Sequence, residues 1–135
     1  VTTLTMSSEG FQGWAVLRVA GEIDLVTGGQ IRAEVHRMVA EGRRRVVLDL
    51  AAVRFCDSSG VGVLIAARRL LRSCSGELRL VLPPSAPAVA PPPSGPHGAG
   101  GGHVHRVFTA LGIRRLFDIY PDVPSAVAPP LARPA

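Results

Sequence analysis

The stretch "FCDSSGVGVLIAARRLL", residues 55–71, decides the fold. An apolar run stops at Cys56, an acid and two hydroxyls follow, and a run with helical periodicity begins at once. Asp57 has the chemistry of an N-cap: its carboxylate can accept from the amides of Ser59 or Gly60, donors that the first helical turn leaves unsatisfied. Upstream, "VVLDL" (46–50) is short and rich in Val and Leu, the composition of a central parallel strand buried on both faces. The spacing predicts a strand that hands over, through Asp57, to a helix from about Ser58 to Ser73. Such joints lie at the edge of an open α/β sheet where ligands and partners are met.

The rest of the chain extends that pattern on both sides. "WAVLRVA" (14–20) reads as a strand, with a hairpin partner around Leu4, and "GEID" (21–24) turns or extends toward the next element. Thr27 is the expected cap of a helix from about Gly28 to Glu41; Ile31, Val35, Met38 and Val39 form its buried stripe and Gly42 its stop. "ELRLVL" (77–82) alternates with period two, as a strand does. Strand, helix, strand, helix, strand is the order of an α/β domain with helices packed on a sheet. Residues 83–102, "PPSAPAVAPPPSGPHGAGGG", break the order. Pro lacks a donor and Gly carries a large backbone entropy, so the segment reads as an inserted, extended loop. Val104, Val107, Phe108 and Leu111 then share a helical face that Gly112 ends. "IRRLFDIY" reads as a short strand or turn, "DVPSAVA" as a short helix capped by Asp122, and the tail from about 129 as loose.

A length of 135 residues and an apolar fraction of 47% fit one globular domain, residues 1–135, with one real core. No run reaches 18 apolar residues, which excludes a membrane-spanning helix, and "VTTLTMSSEGFQGW" lacks the charged start and apolar centre of a secretion signal. A cytoplasmic protein with Cys56 and Cys74 as buried free thiols is the expectation. The net charge is +5, and every basic residue is arginine. Basic chains can bind nucleic acid, but Trp14 and Tyr120 are the only residues of their kinds, which leaves little for bases to stack on.

Set at 100° per residue, the helix after Asp57 gathers Gly60, Val63, Leu64, Ala67, Leu70, Leu71 and Cys74 on its core side. The opposite side carries Ser58, Val61, Gly62, Ile65, Arg68, Arg69 and Arg72, with Ser59 near the boundary. A hydroxyl, a small apolar patch and a basic end compose a docking surface. Gly60 and Gly62 are poor helix formers, which suggests a close approach to the backbone there or tight packing on the sheet. Phosphorylation of Ser58 would add about −1.5 to −2 charges beside Asp57, enough to repel an acidic partner. The alternative is that Ser58 and Ser59 only cap a helix. A catalytic serine is disfavoured, because Cys56 stands where a nucleophile elbow needs glycine.

The segments "VVLDLAAVRFCDSSGVGVLI" (46–65), "VAGEIDLVTGGQIRAEV" (19–35), "GELRLVLPP" (76–84) and "VHRVFTALGIRRLFDIYPDVPSAVA" (104–128) together resemble STAS domains, specifically the bacterial anti-sigma factor antagonists. The resemblance implies a mixed, partly parallel sheet of four to five strands with about four helices packed mainly on one face. It implies a non-enzymatic regulator that binds an anti-sigma factor serine/threonine kinase and so frees a sigma factor. The kinase phosphorylates the serine after the motif's Asp, here Ser58, and a PP2C-type phosphatase restores the binding form. The partner-facing edge would hold Asp24, Asp57, Ser58, Ser59, Gly60, Val61, Gly62, Ile65 and Arg68. The kinase holds the ATP, so no cofactor is implied for this chain. The insertion at 83–102 departs from the family, which has only a few residues there.

Two other readings stay open: a STAS module that senses or scaffolds without being phosphorylated, and a small basic nucleic-acid-binding protein. His97, His103 and His105 cluster in a Gly-rich segment without Cys or carboxylate close by, which is too little for a metal site. "GAGGG" lacks the preceding strand that a nucleotide-binding loop needs. "RRR" (43–45) sits between a helix end and a strand, where it serves the helix dipole and solubility; contact with an acidic partner is its alternative role.

Overall fold

The structure, a computed structural model, describes residues 3–82, 104, 106–109, 112 and 114–128. Five strands form one sheet in the order β1-β2-β3-β4-β5. They are β1 (Leu4–Phe11), β2 (Trp14–Ile23), β3 (Arg45–Cys56), β4 (Glu77–Val81) and β5 (Asp118–Tyr120). β1 pairs with β2 antiparallel, and the other three pairings are parallel. The helices are α1 (Leu25–Ala40), α2 (Ser58–Ser73), α3, helical at residues 104 and 106–109, and α4 (Val123–Val127); a 3-10 turn spans Arg114–Leu116. The mixed sheet, the hairpin at Leu4 and the bounds of α2 match the sequence reading. The inserted loop and the tail from about 129 lie outside the described residues, as does Leu111.

Strand alternation divides the apolar residues between two faces. Ala15, Leu17 and Val19 of β2, Val46, Leu48 and Leu50 of β3, and Leu78 and Leu80 of β4 meet Ile31, Val35 and Met38 of α1 and Leu64, Ala67 and Leu71 of α2. Val104 and Phe108 of α3 join this main core. On the other face Trp14, Val16, Val47 and Val81 pack with Val123, Ala126 and Val127 of α4. Arg79 lies within this second cluster. Its guanidinium sits 4.4 Å from the Trp14 ring centroid and 5.2 Å from that of Tyr120, while Nη1 donates to the Ala126 carbonyl at 2.6 Å.

Two expectations need correction. α1 begins at Leu25, and its N-cap is Asp24, not Thr27. Asp24 accepts from the amides of Val26 and Thr27 at 2.9 Å each, and Thr27 Oγ1 accepts in return from the Asp24 amide at 2.9 Å. The reciprocal pair satisfies the first-turn donors three residues earlier than a Thr27 cap would. Gly42, at φ 86°, ends the helix as its left-handed conformation allows. The second correction concerns β3, which runs six residues past Leu50. Its register against β2 slips between Arg18 and Ala20 and again between Gly21 and Glu22. Each slip adds a residue to β3, so its buried positions step by three, through Leu50, Val53 and Cys56, instead of alternating.

Candidate functional site

Those two irregularities place the site. They bring Cys56 into register with Ile23, so the residues that follow, Asp57 and Asp24, leave adjacent parallel strands side by side. The Asp57 amide donates to the Ile23 carbonyl at 3.2 Å, which ties the two strand ends together. Each aspartate then caps its own helix. Asp57 accepts from the Gly60 amide at 2.9 Å, and Thr27 Oγ1 donates to the Glu22 carbonyl at 2.8 Å. The result is a ledge formed by two helix N-termini, each headed by a half-buried carboxylate.

Gly60 is what lets α2 sit so close. A Cβ at that position would lie 2.7 Å from Ile23 Cγ2, 2.8 Å from Cys56 Sγ and 2.9 Å from the Ile23 carbonyl oxygen. At Gly62 a Cβ would meet nothing within 4 Å. The two glycines that the sequence offered as a pair therefore have different surroundings: one is pressed onto the strand ends and the other faces solvent. Cys56 is buried at the joint, and burial, with the nearby Asp57 carboxylate, pushes its thiol pKa up to about 12. Cys74, expected to be buried, is half-exposed at the far end of α2; both thiols are free.

Ser58 is exposed at the first position of α2, and Ser59 is half-buried beside it. Among the described residues the Ser58 hydroxyl makes no hydrogen bond. Gly62 is exposed, and Ile65 and Arg68 are half-buried. Val61 contradicts the sequence reading: it is 2% exposed and belongs to the main core. Helix α2 packs on α1 as well as on the sheet, so closely that a Cβ on Gly28 would lie 2.6 Å from Val63 Cγ2. Val61 stands about 160° from Val63 round the helix, so the flank of α2 that faces away from α1 is buried in the main core as well. The apolar part of the surface comes from elsewhere. Leu25 and Val26, in the first turn of α1, are 79% and 76% exposed, and Phe55 is 39% exposed at the end of β3. The sequence reading missed all three. The Leu-Val pair directly after the "GEID" aspartate would have been visible had the helix been started at Asp24.

No group of three or more His, Cys, Asp or Glu residues placed to hold a metal occurs among the described residues, and His97, His103 and His105 lie outside them. No described helix is long and apolar enough to cross a membrane.

A five-stranded mixed sheet with paired, aspartate-capped helix N-termini at one edge defines an open α/β domain. The chain belongs to the STAS domain family, whose family model matches residues 5–90. It is similar to the anti-sigma F factor antagonist of Paenibacillus polymyxa, at 26% identity over 125 residues, 92% of each chain. It is also similar to the anti-sigma-F factor antagonist RsfB of Mycobacterium tuberculosis, at 36% identity over 64 residues, 47% of this chain and 52% of that protein. Among solved structures, an anti-sigma factor antagonist from Mycobacterium paratuberculosis superposes with a TM-score of 0.70 at 26% identity, covering 93% of this chain and 92% of that one.

Proposed function

We propose that the protein is an anti-sigma factor antagonist whose unphosphorylated form binds an anti-sigma factor serine kinase, and that phosphorylation of Ser58 switches the binding off. A PP2C-type phosphatase restores the binding form. The observation that carries the reading is the exposed Ser58 hydroxyl on a ledge it shares with Leu25 and Val26, which are apolar and largely exposed. The names of the similar proteins support the same reading. In this reading Asp24 and Asp57 hold the two helix ends in register, Leu25, Val26 and Gly62 meet the partner, and Ser59, Ile65 and Arg68 form the flank. Gly60 and Val61 act from beneath, by seating the helix.

The electrostatics favour a switch. A phosphate on Ser58 adds about −1.5 to −2 charges to a ledge that already holds two carboxylates, and it adds bulk at the centre of the apolar contact. Its own helix N-terminus tolerates the anion, so the modified chain stays folded while docking is lost. The test is titration of the anti-sigma kinase with three forms. Ser58→Ala binds as the unmodified protein does, whereas Ser58→Glu and the phosphorylated chain bind at least about tenfold more weakly, a change of about 1.4 kcal/mol. Equal affinity of all three forms would refute the switch. Leu25→Asp with Val26→Asp lowers affinity by a similar factor or more, since exposed apolar anchors at an interface centre carry much of its energy. Full binding by that double variant would remove α1 from the surface.

A further inference from the structure

The Arg43–Arg45 run is not used by the switch, and the fold places it at the opposite end of the sheet from Ser58. β2, β3 and β4 begin there, at Trp14, Arg45 and Glu77, and α1 ends there. Ten residues of β2 separate the two ends, about 30 Å at strand rise. Two adjoining clefts, of about 560 and 420 Å³, open at this end and share Gln12, Trp14 and Arg45 in their walls. Arg43 and Arg44 line one and Arg79 the other. Glu77 is the single acid among the lining residues, and it is already paired with Arg79 at 2.9 Å. Arg43 reaches Glu41 only at 3.9 Å, and Arg44 and Arg45 have no ion-pair partner among the described residues. The backbone beneath them is fixed, because the Arg44 carbonyl accepts from the Glu77 amide at 2.8 Å and Arg45 pairs with Glu77 in the sheet. Phe11, 38% exposed at the rim, adds an apolar contact.

We propose that this arginine-lined groove is a second docking site, for an acidic peptide segment of a protein partner. Charge complementarity selects an anionic ligand, and the guanidiniums of Arg44 and Arg45, exposed and without an ion-pair partner among the described residues, can meet its carboxylates. The surface favours a peptide over a nucleic acid. Trp14 is only 6% exposed, under the Arg79 guanidinium, so no open indole face is left for a base to stack on. The distance between the ends lets the chain hold one partner at the Ser58 ledge and another at this groove. The groove does not depend on the reading of Ser58.

Trp14 is the only tryptophan, and Arg45 stands 6.0 Å from its ring centroid, so indole fluorescence reports the groove directly. The test titrates the full chain with an end-blocked hexaglutamate peptide. Binding predicts a saturable fluorescence change whose dissociation constant rises at least about fivefold between low and physiological salt. Arg44→Glu with Arg45→Glu weakens it at least about tenfold, with an unchanged melting curve as proof of folding, and Arg45→Gln weakens it by a smaller factor. The proposal is overturned by the absence of a saturable signal up to about 1 mM peptide, a range that captures even weak association. It is also overturned if the double variant binds as the parent does, if an oligonucleotide of matched charge binds more tightly, or if inorganic phosphate alone saturates the signal.

Discussion

Replacing Gly60 by alanine tests the geometry on which the Ser58 ledge rests. The added methyl would lie 2.7 Å from Ile23 Cγ2, 2.8 Å from Cys56 Sγ and 2.9 Å from a backbone oxygen. These positions are about 0.5–1 Å inside ordinary contact distances. Ile23 and Cys56 are fully buried, and the oxygen belongs to the strand, so none of the three can swing away freely. With three contacts this short, one of them to backbone, overpacking costs about 2–3 kcal/mol, the upper part of its usual range. The helix propensity that alanine gains over glycine, at most about 1 kcal/mol, offsets only part of it in the first turn. Gly62→Ala is the internal control: it adds the same methyl to the same helix in open space, and gains about 0.5–1 kcal/mol. At this chain length a kcal/mol moves the melting temperature by about 3–5 °C. Gly60→Ala then melts about 3–10 °C below the parent and Gly62→Ala about 2–5 °C above it, followed by far-ultraviolet circular dichroism with urea titration for the free energies. A Gly60→Ala variant as stable as the parent, or two glycines that respond alike, would refute the seating of α2 on the strand ends.

The remaining expectations concern the second cluster and the buried thiol. Arg79→Lys lowers stability by about 1–2 kcal/mol in urea titration, because lysine cannot stack flat between Trp14 and Tyr120 while donating to both Glu77 and the Ala126 carbonyl. The same variant changes the Trp14 emission. Cys56, with its pKa raised from 9.0 to about 12, keeps its proton in the folded state at pH values where the unfolded chain has lost it. This contribution is therefore complete below about pH 9 and is lost as pH rises from 9 toward 12, with a slope of up to about 1.4 kcal/mol per pH unit. Denaturation of Cys56→Ala and the parent across that range isolates it as a difference in slope. At pH 8 a thiol reagent modifies half-exposed Cys74 well before Cys56, as peptide mass mapping over time would show.

The sequence by itself determined what depends on neighbours along the chain. The acid and hydroxyls of 57–59 set the start of α2, an apolar run set β2, a period-two run set β4, and Asp122 set α4; each rests on local hydrogen bonding, composition or the pitch of one element. Tertiary structure decided what depends on where elements meet. The Val- and Leu-rich run stops at Leu50, so β3 looked finished there, yet pairing with β2, through two register slips, carried it to Cys56. A helical wheel orders residues by angle but does not say how much of the circle is covered. Val61 was buried because the main core also closes over the flank of α2 that faces away from α1, while Leu25 and Val26 were left open because Asp24 caps α1 earlier than Thr27 would. Arg79, a charged residue on a strand, lies inside the second cluster because Trp14, Tyr120 and Ala126, distant in sequence, converge on it, the two rings to stack and the Ala126 carbonyl to accept a hydrogen bond.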